Sequence, residues 1–153
     1  MTRQFLALAA AVLLCLVMRG EAQSGKADGP TYRAPGGTTL KLFLDDTNVG
    51  SEVTLGEITF PPNSDSGDHK HGAIEMFYIV SGELDHVVNG KSHVLTPGMT
   101  GYVKPPDSVR HKTGPAGAKA VVVWVPGEEG KKIAARWKAE PKRLRERRGR
   151  GAG

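Results

Sequence analysis

The sequence predicts an all-β fold, an antiparallel sandwich or barrel followed by a short C-terminal helix, and three observations carry that expectation. Twenty Gly and ten Pro in 153 residues punctuate the chain with turn formers, which argues against a bundle of long helices. Between them lie short strand-like runs at 40–44, 51–60, 75–80, 84–88, 92–95, 101–104 and 120–125, each bounded by Gly, Pro, Asn or Asp. The third observation is Asn89-Gly90, a pair that favours a two-residue hairpin turn with positive φ at both positions. Counting outward from it pairs Val88 with Lys91, Val87 with Ser92 and His86 with His93, so two histidines sit opposite each other on one face.

The length suits one domain. The elements divide it into a targeting segment over 1–22, a flexible leader over 23–37, a barrel over 38–130, and a short helix with a basic tail over 131–153. The first 22 residues read as a secretory signal: Arg3 gives a positive start, the fourteen residues 5–18 are apolar, and Gly20, Glu21 and Ala22 bring small residues to a cleavage position. Such a run is too short to span a bilayer comfortably. A secreted or periplasmic location follows as an expectation. Cys15, the only cysteine, lies within the signal, so the mature chain is expected to have neither a disulfide nor a thiolate ligand.

Residues 23–37 are rich in Gly, Pro and polar side chains, which is the basis for the leader. After the barrel, Ile133, Ala134 and Trp137 recur at helical spacing, which predicts a short helix over 131–140 laid against the sheet and stopped by Pro141.

Charge is unevenly spread. The formal net charge is +5, but residues 131–150 hold ten Lys and Arg against Glu140 and Glu146, and residues 23–130 hold nine basic against thirteen acidic residues, a net of −4. The basic balance therefore belongs to a tail, and a nucleic-acid surface over the fold is not expected. The tail lacks aromatics after Trp137 that would stack on bases; it reads as solvated chain, with contact to an anionic envelope as the functional alternative.

The chemistry is concentrated in residues 67–82. His69 and His71 are two apart, so in an extended segment both side chains project to one side, about 7 Å apart along the backbone. That arrangement suits two imidazoles converging on an ion at about 2.1 Å each. A straight strand would carry Glu75 about 20 Å from His69, so sharing one ion requires a bend, for which Gly72 is the natural place. Chance gives His-x-His with Glu four later and Gly seven after that in about one such chain in a thousand. The plainer reading is a pair of surface histidines beside Asp65, Ser66, Asp68 and Lys70, and a solvated carboxylate at a strand start.

Here the pattern resembles the first motif of the cupin superfamily: His69-x-His71, Glu75, the run 76–80 and Gly82, approached through Pro61-Pro62. Pro97-Gly98, Tyr102, Val103, Pro105, Pro106 and His111 follow in the order of the second motif, departing from it in Met99, in Asp107 and in the later position of His111. The resemblance covers about residues 38–127. It implies an antiparallel jelly-roll barrel holding one divalent metal ion, with His69, His71, Glu75 and His111 as ligands and a homodimer as the common assembly. Three imidazoles and one carboxylate on such an ion leave about +1 of charge and two open octahedral positions, suited to an anionic oxygen-rich ligand or dioxygen. Iron, manganese, nickel, copper and zinc all accept that donor set.

The expected function is a metal-dependent oxidoreductase of dioxygenase type acting on a small oxygenated molecule. The alternatives are an isomerase or lyase, in which Glu75 or a neighbour moves a proton, and a non-catalytic module for metal or carbohydrate. Tyr102, with Tyr78, Phe77 and Trp124, is a candidate for a ligand pocket, although aromatics in strands more often serve the core or a subunit contact. His86 with His93 is a lesser candidate for a second metal site against an exposed polar pair, and Glu57 and Lys104 are candidates for acid or base against ordinary surface charge.

Overall fold

Alternating side chains decide which way each strand faces, and in the computed structural model, which describes residues 29–141, that alternation is strict in the strands that matter most. The elements are β1 (Thr31–Arg33), β2 (Thr39–Leu44), β3 (Thr54–Phe60), β4 (Ile74–Val88), β5 (Lys91–Leu95), β6 (Thr100–Val103), β7 (Val109–Val125), α1 (Glu128–Arg136) and β8 (Lys138–Ala139). All pairings are antiparallel, in the order β5-β4-β7-β3-β2-β1-β8, with β6 also on β4. This is the all-β jelly-roll with a short helix after it.

Two long strands close the barrel. The first half of β4 pairs with the second half of β7 and with β6, while its second half pairs with the first half of β7 and with β5. Between the halves the register jumps from Gly82↔Ala118 to Leu84↔Thr113, so residues 114–117 bulge out and the sheet turns a corner. The corner needs glycine. Gly82 has φ +74, and a Cβ on it would lie 2.1 Å from the carbonyl oxygen of Gly117.

Both strands are longer than the runs expected from sequence. Runs 75–80 and 84–88 are one strand, and 120–125 is the end of a strand that begins at Val109. Gly114, Pro115 and Gly117 look like strand breakers in sequence, yet they occupy the bulge, where no ladder partner is required. The hairpin at Asn89-Gly90 has the expected register, including His86↔His93, with φ +50 at Asn89 and +80 at Gly90.

Leu40, Leu42, Ile58, Phe60, Phe77, Ile79, Leu84, Val122 and Trp124 fill the interior. Within β4, Glu75, Phe77 and Ile79 are buried while Ile74, Met76, Tyr78 and Val80 face out and are exposed. The outer face there is apolar, which an antiparallel sheet wetted on one side does not need.

At the ends, Thr31–Arg33, counted in the leader from sequence, forms a strand because β2 and β8 satisfy its backbone from both sides and Tyr32 packs on the core. The helix is Glu128–Arg136 rather than 131–140: Glu128 and Glu129 suit its N-terminal turn, and Trp137 is already extended. Ile133 is buried against the barrel and Trp137 packs on it, as the helical spacing suggested. The targeting segment 1–22, the rest of the leader over 23–28 and the tail over 142–153 lie outside the described residues.

Gly82→Ala combines an unfavourable φ with a backbone clash and should lower stability by about 2 kcal/mol or more. Urea unfolding measures it, and an unchanged midpoint would contradict the corner's need for glycine.

Candidate metal centre

The segment between β3 and β4 carries His69 and His71, and it lies along the first part of β7. His69 and Val109 exchange backbone hydrogen bonds of 2.9 and 2.8 Å; the Ser66 N–H donates to the carbonyl of His111 at 3.0 Å, and Ser66 Oγ accepts from the His111 N–H at 2.9 Å. Asp65 anchors the segment by accepting from Arg110 Nε at 2.7 Å and from the Gly67 N–H at 3.0 Å. Hydrogen bonding from Arg110, then from Gly67, holds that carboxyl well below the usual carboxylate range and keeps it charged. Alternation along β7 sends Arg110 and Lys112 outward and His111 inward, where it is 4% exposed.

The chain then bends at Gly72–Ala73, as sharing an ion requires, and the turn returns Glu75 to His71. Nε2 of His71 lies 3.1 Å from Oε2 of Glu75, and Nε2 of His111 lies 3.8 Å from the same oxygen. Two atoms each about 2.1 Å from a shared ion are separated by at most about 4.2 Å, so both distances suit one ion. The His69 ring stands 4.9 Å from that of His71 and 5.4 Å from that of His111, centroid to centroid. The structure thus places the side chains of His69, His71, Glu75 and His111 close to one another.

As they stand, no three of the described His, Cys, Asp or Glu side chains are arranged so as to hold a metal ion. What fits an ion is the pattern of satisfied and unsatisfied atoms. Among the described residues, four buried side-chain atoms lack a hydrogen-bond partner: Nε2 of His71, Oε2 of Glu75, Nε2 of His111 and Nδ1 of His86. Unpaired buried polar atoms are rare and costly, and three of these four belong to the predicted ligands. The opposite atoms are held. Nδ1–H of His69 donates to the carbonyl of Gly67 at 3.0 Å, Nδ1–H of His71 to Glu129 Oε1 at 3.4 Å, and Trp124 Nε1–H to Glu75 Oε1 at 3.0 Å. Each of those three side chains is tied at its far side and faces its neighbours with the other, the arrangement metal ligands adopt.

Burial raises the cost of charge on His71, Glu75, His86 and His111. For His111 it dominates and lowers the pKa to about 3, so this imidazole is neutral and ready to donate a lone pair. Phe60 and Phe77 pack on its ring at 5.5 and 5.1 Å. Burial also lowers the pKa of His86. In His71 burial is outweighed by Glu75 and then Glu129, which lift its pKa above the usual imidazole value; in Glu75 burial is outweighed by His71, and the carboxyl stays below its ordinary range.

Other candidates fall elsewhere. Tyr102 is not in a pocket: Val103 takes the inward place on β6, leaving Tyr102 65% exposed on the outer face opposite Met76. Tyr78 is likewise outside, whereas Phe77 and Trp124 are inside. Glu57 pairs with Lys119 at 3.0 Å, and Lys104 is exposed. His86 and His93 do not make an exposed pair, because His86 is 2% exposed, stacks on His111 at 5.3 Å, and donates from Nε2 to the carbonyl of Tyr102 at 3.1 Å.

Sequence reasoning missed Glu129 and the hydrogen-bonding role of Trp124. Trp124 is the β7 partner of Glu75, a relation that only the long β4–β7 register reveals. Glu129 is buried at the helix start, where sequence suggests only a dipole-compensating acid.

A family described as the cupin domain matches residues 56–126. Among solved structures, an RmlC-like cupin from Shewanella frigidimarina is similar at 22% identity with a TM-score of 0.61, over 73% of this chain and 96% of that one. A Thermotoga maritima protein described as a predicted oxalate decarboxylase is similar at 20% identity and TM-score 0.59, over 69% of this chain and 98% of that one. The EutQ protein of Clostridium difficile is similar at 14% and 0.56, over 70% and 82% respectively. No curated protein matches. At these identities the structural likeness speaks for the fold.

The neutral, buried His111 sets a pH dependence. Its folded pKa of about 3 lies below the unfolded value of 6.5, so its contribution to stability is complete above pH 6.5 and is lost as pH falls toward 3. His86 has the same sign and His71 the opposite one. Metal-stripped wild type should therefore lose more stability between pH 7.5 and 5 than metal-stripped His111→Gln, measured by urea midpoints. Equal losses would show that His111 is not held neutral.

Proposed function

Since this chain carries a cupin domain and belongs to the cupin superfamily, we propose that it is a divalent-metal-dependent oxidoreductase of dioxygenase type, exported through residues 1–22 and acting on a small oxygen-rich molecule. The observation that supports this most directly is the set of buried donor atoms, Nε2 of His71, Oε2 of Glu75 and Nε2 of His111, which face one another and have no hydrogen-bond partner outside the cluster. Nε2 of His69, whose Nδ1 is engaged by the carbonyl of Gly67, completes a donor set of three imidazoles and one carboxylate. When bound, an ion of iron, manganese, nickel, copper or zinc supplies Lewis-acid chemistry there and, for all but zinc, redox chemistry.

The chain's own residues divide the remaining work. Glu75 has Oε1 engaged by Trp124 and Oε2 turned toward His71 and His111, so its role is to hold and partly neutralise the ion rather than to move a proton. Phe60 and Phe77 around His111 keep water from that side. The charge of about +1 left at the centre favours an anionic ligand that binds through oxygen.

Protein purified without added metal should contain about one equivalent of a transition metal by elemental analysis. His69→Ala and His111→Ala should each lose most of it while circular dichroism stays that of the folded barrel; full retention in both would remove them from the ligand set. Oxygen uptake with small diketones, phenolics or sugar acids supports the dioxygenase reading. Conversion without uptake points to an isomerase or lyase, and binding without conversion to a metal or carbohydrate module.

The same reading makes the chain a homodimer, supported by the exposed apolar row Ile74, Met76, Tyr78 and Val80 with Tyr102 beside it. Sedimentation should give twice the chain mass for wild type and the single mass for the double variant Met76→Lys, Tyr102→Glu. A monomeric wild type would contradict this.

A further inference from the structure

We infer that Glu129, supplied by the helix that follows the barrel, is a positioning residue of the metal centre: its carboxylate fixes His71 by the outer ring nitrogen and so aims Nε2 at the ion. The inference rests on the metal-binding reading above. Glu129 is only 4% exposed, and a buried carboxylate is costly unless it is paired. Packing of the helix does not require it, because Ile133 and Trp137 supply the apolar contact with the core. The barrel-side partners of Glu129 belong to the ligand segment: Nδ1 of His71 at 3.4 Å from Oε1 and the N–H of Gly72 at 3.3 Å from Oε2. From its own helix, Lys132 and Arg136 approach at 3.5 and 3.6 Å and balance its charge.

The chemistry follows from the imidazole. A neutral ring that donates its Nδ1–H in a hydrogen bond to a carboxylate keeps Nε2 as a lone pair and has its plane fixed, and metal-ligating histidines commonly use such a partner. His69 finds its equivalent locally, in the carbonyl of Gly67 two residues away. His71 finds it 58 residues later in the chain, so this ligand depends on where the helix sits.

That seat is itself fixed by close contact. Thr54 Oγ1 donates to the carbonyl of Gly127 at 2.7 Å, and a Cβ on Gly130 would lie 2.4 Å from Cγ2 of Thr54. Gly130 therefore sets the height of Glu129 over His71 without touching any ligand. A methyl group there must lift the helix and carry the carboxylate with it.

The test uses the full chain and Zn²⁺ as the probe, with affinity measured by chelator competition at pH 8. Glu129→Ala should weaken binding by about 10- to 100-fold, and Glu129→Gln, which keeps an acceptor oxygen, by less. Gly130→Ala should weaken it in the same direction with Glu129 intact. In the zinc-loaded wild type the Nδ1–H proton of His71 should resonate far downfield and exchange slowly with solvent; in Glu129→Ala it should lose both properties, which a purely structural role would not cause. Wild-type affinity and an unmoved Nδ1–H signal in Glu129→Ala would overturn the inference alone. Failure of the wild type to bind Zn²⁺ would overturn the metal-binding reading on which it rests. Should Glu129→Ala not fold, Glu129→Gln and Gly130→Ala carry the same comparison.

Discussion

A carboxylate that is 2% exposed inside a β-barrel is the constraint around which this molecule is arranged. Glu75 occupies an inward position on β4 between apolar neighbours, and removing its charge from water is unfavourable unless something answers it. One oxygen is answered by the Trp124 indole at 3.0 Å. The other faces the imidazoles of His71 and His111, one favoured to carry charge and one held neutral. A divalent ion among these groups would compensate the carboxylate and satisfy the facing nitrogens together, whereas a proton on His71 answers Glu75 and leaves Nε2 of His111 without a partner.

The barrel makes that cluster by bending two strands. Because β4 and β7 each run through the corner at Gly82 and Gly117, Glu75 and Trp124 meet in one half of the barrel while His86 and His111 meet in the other. The segment bearing His69 and His71 then closes against β7 through Ser66, Asp65 and Arg110. The groups come from distant parts of the sequence but are carried on hydrogen-bonded backbone rather than free loops, which is how a scaffold holds a site to sub-ångström tolerance.

Much of this was legible in the sequence because local chemistry decided it. Asn89-Gly90 fixed a hairpin register, His69-x-His71 with Gly72 and Glu75 announced a bend that brings a carboxylate to two imidazoles, and Ile133 showed which face of the helix docks. Other features escaped for physical reasons. Gly114, Pro115 and Gly117 read as strand ends because a bulge and a terminus need the same residues. Tyr102 is a candidate for a pocket in sequence because aromatic character does not reveal which face of a strand it occupies; Val103, buried beside it, takes the inward place. Glu129 was unreadable as a partner of His71, since nothing local to residue 129 refers to residue 71. Burial of His86 depends on the β4–β7 pairing, which sequence spacing near the hairpin does not contain.

The most direct measurement is anomalous diffraction from crystals of the protein grown with Mn²⁺ or Zn²⁺. The expected map has one strong peak inside the barrel about 2.0–2.3 Å from Nε2 of His69, His71 and His111 and from a carboxylate oxygen of Glu75. A map whose only peaks lie on the protein surface, with these four side chains unligated, would contradict it.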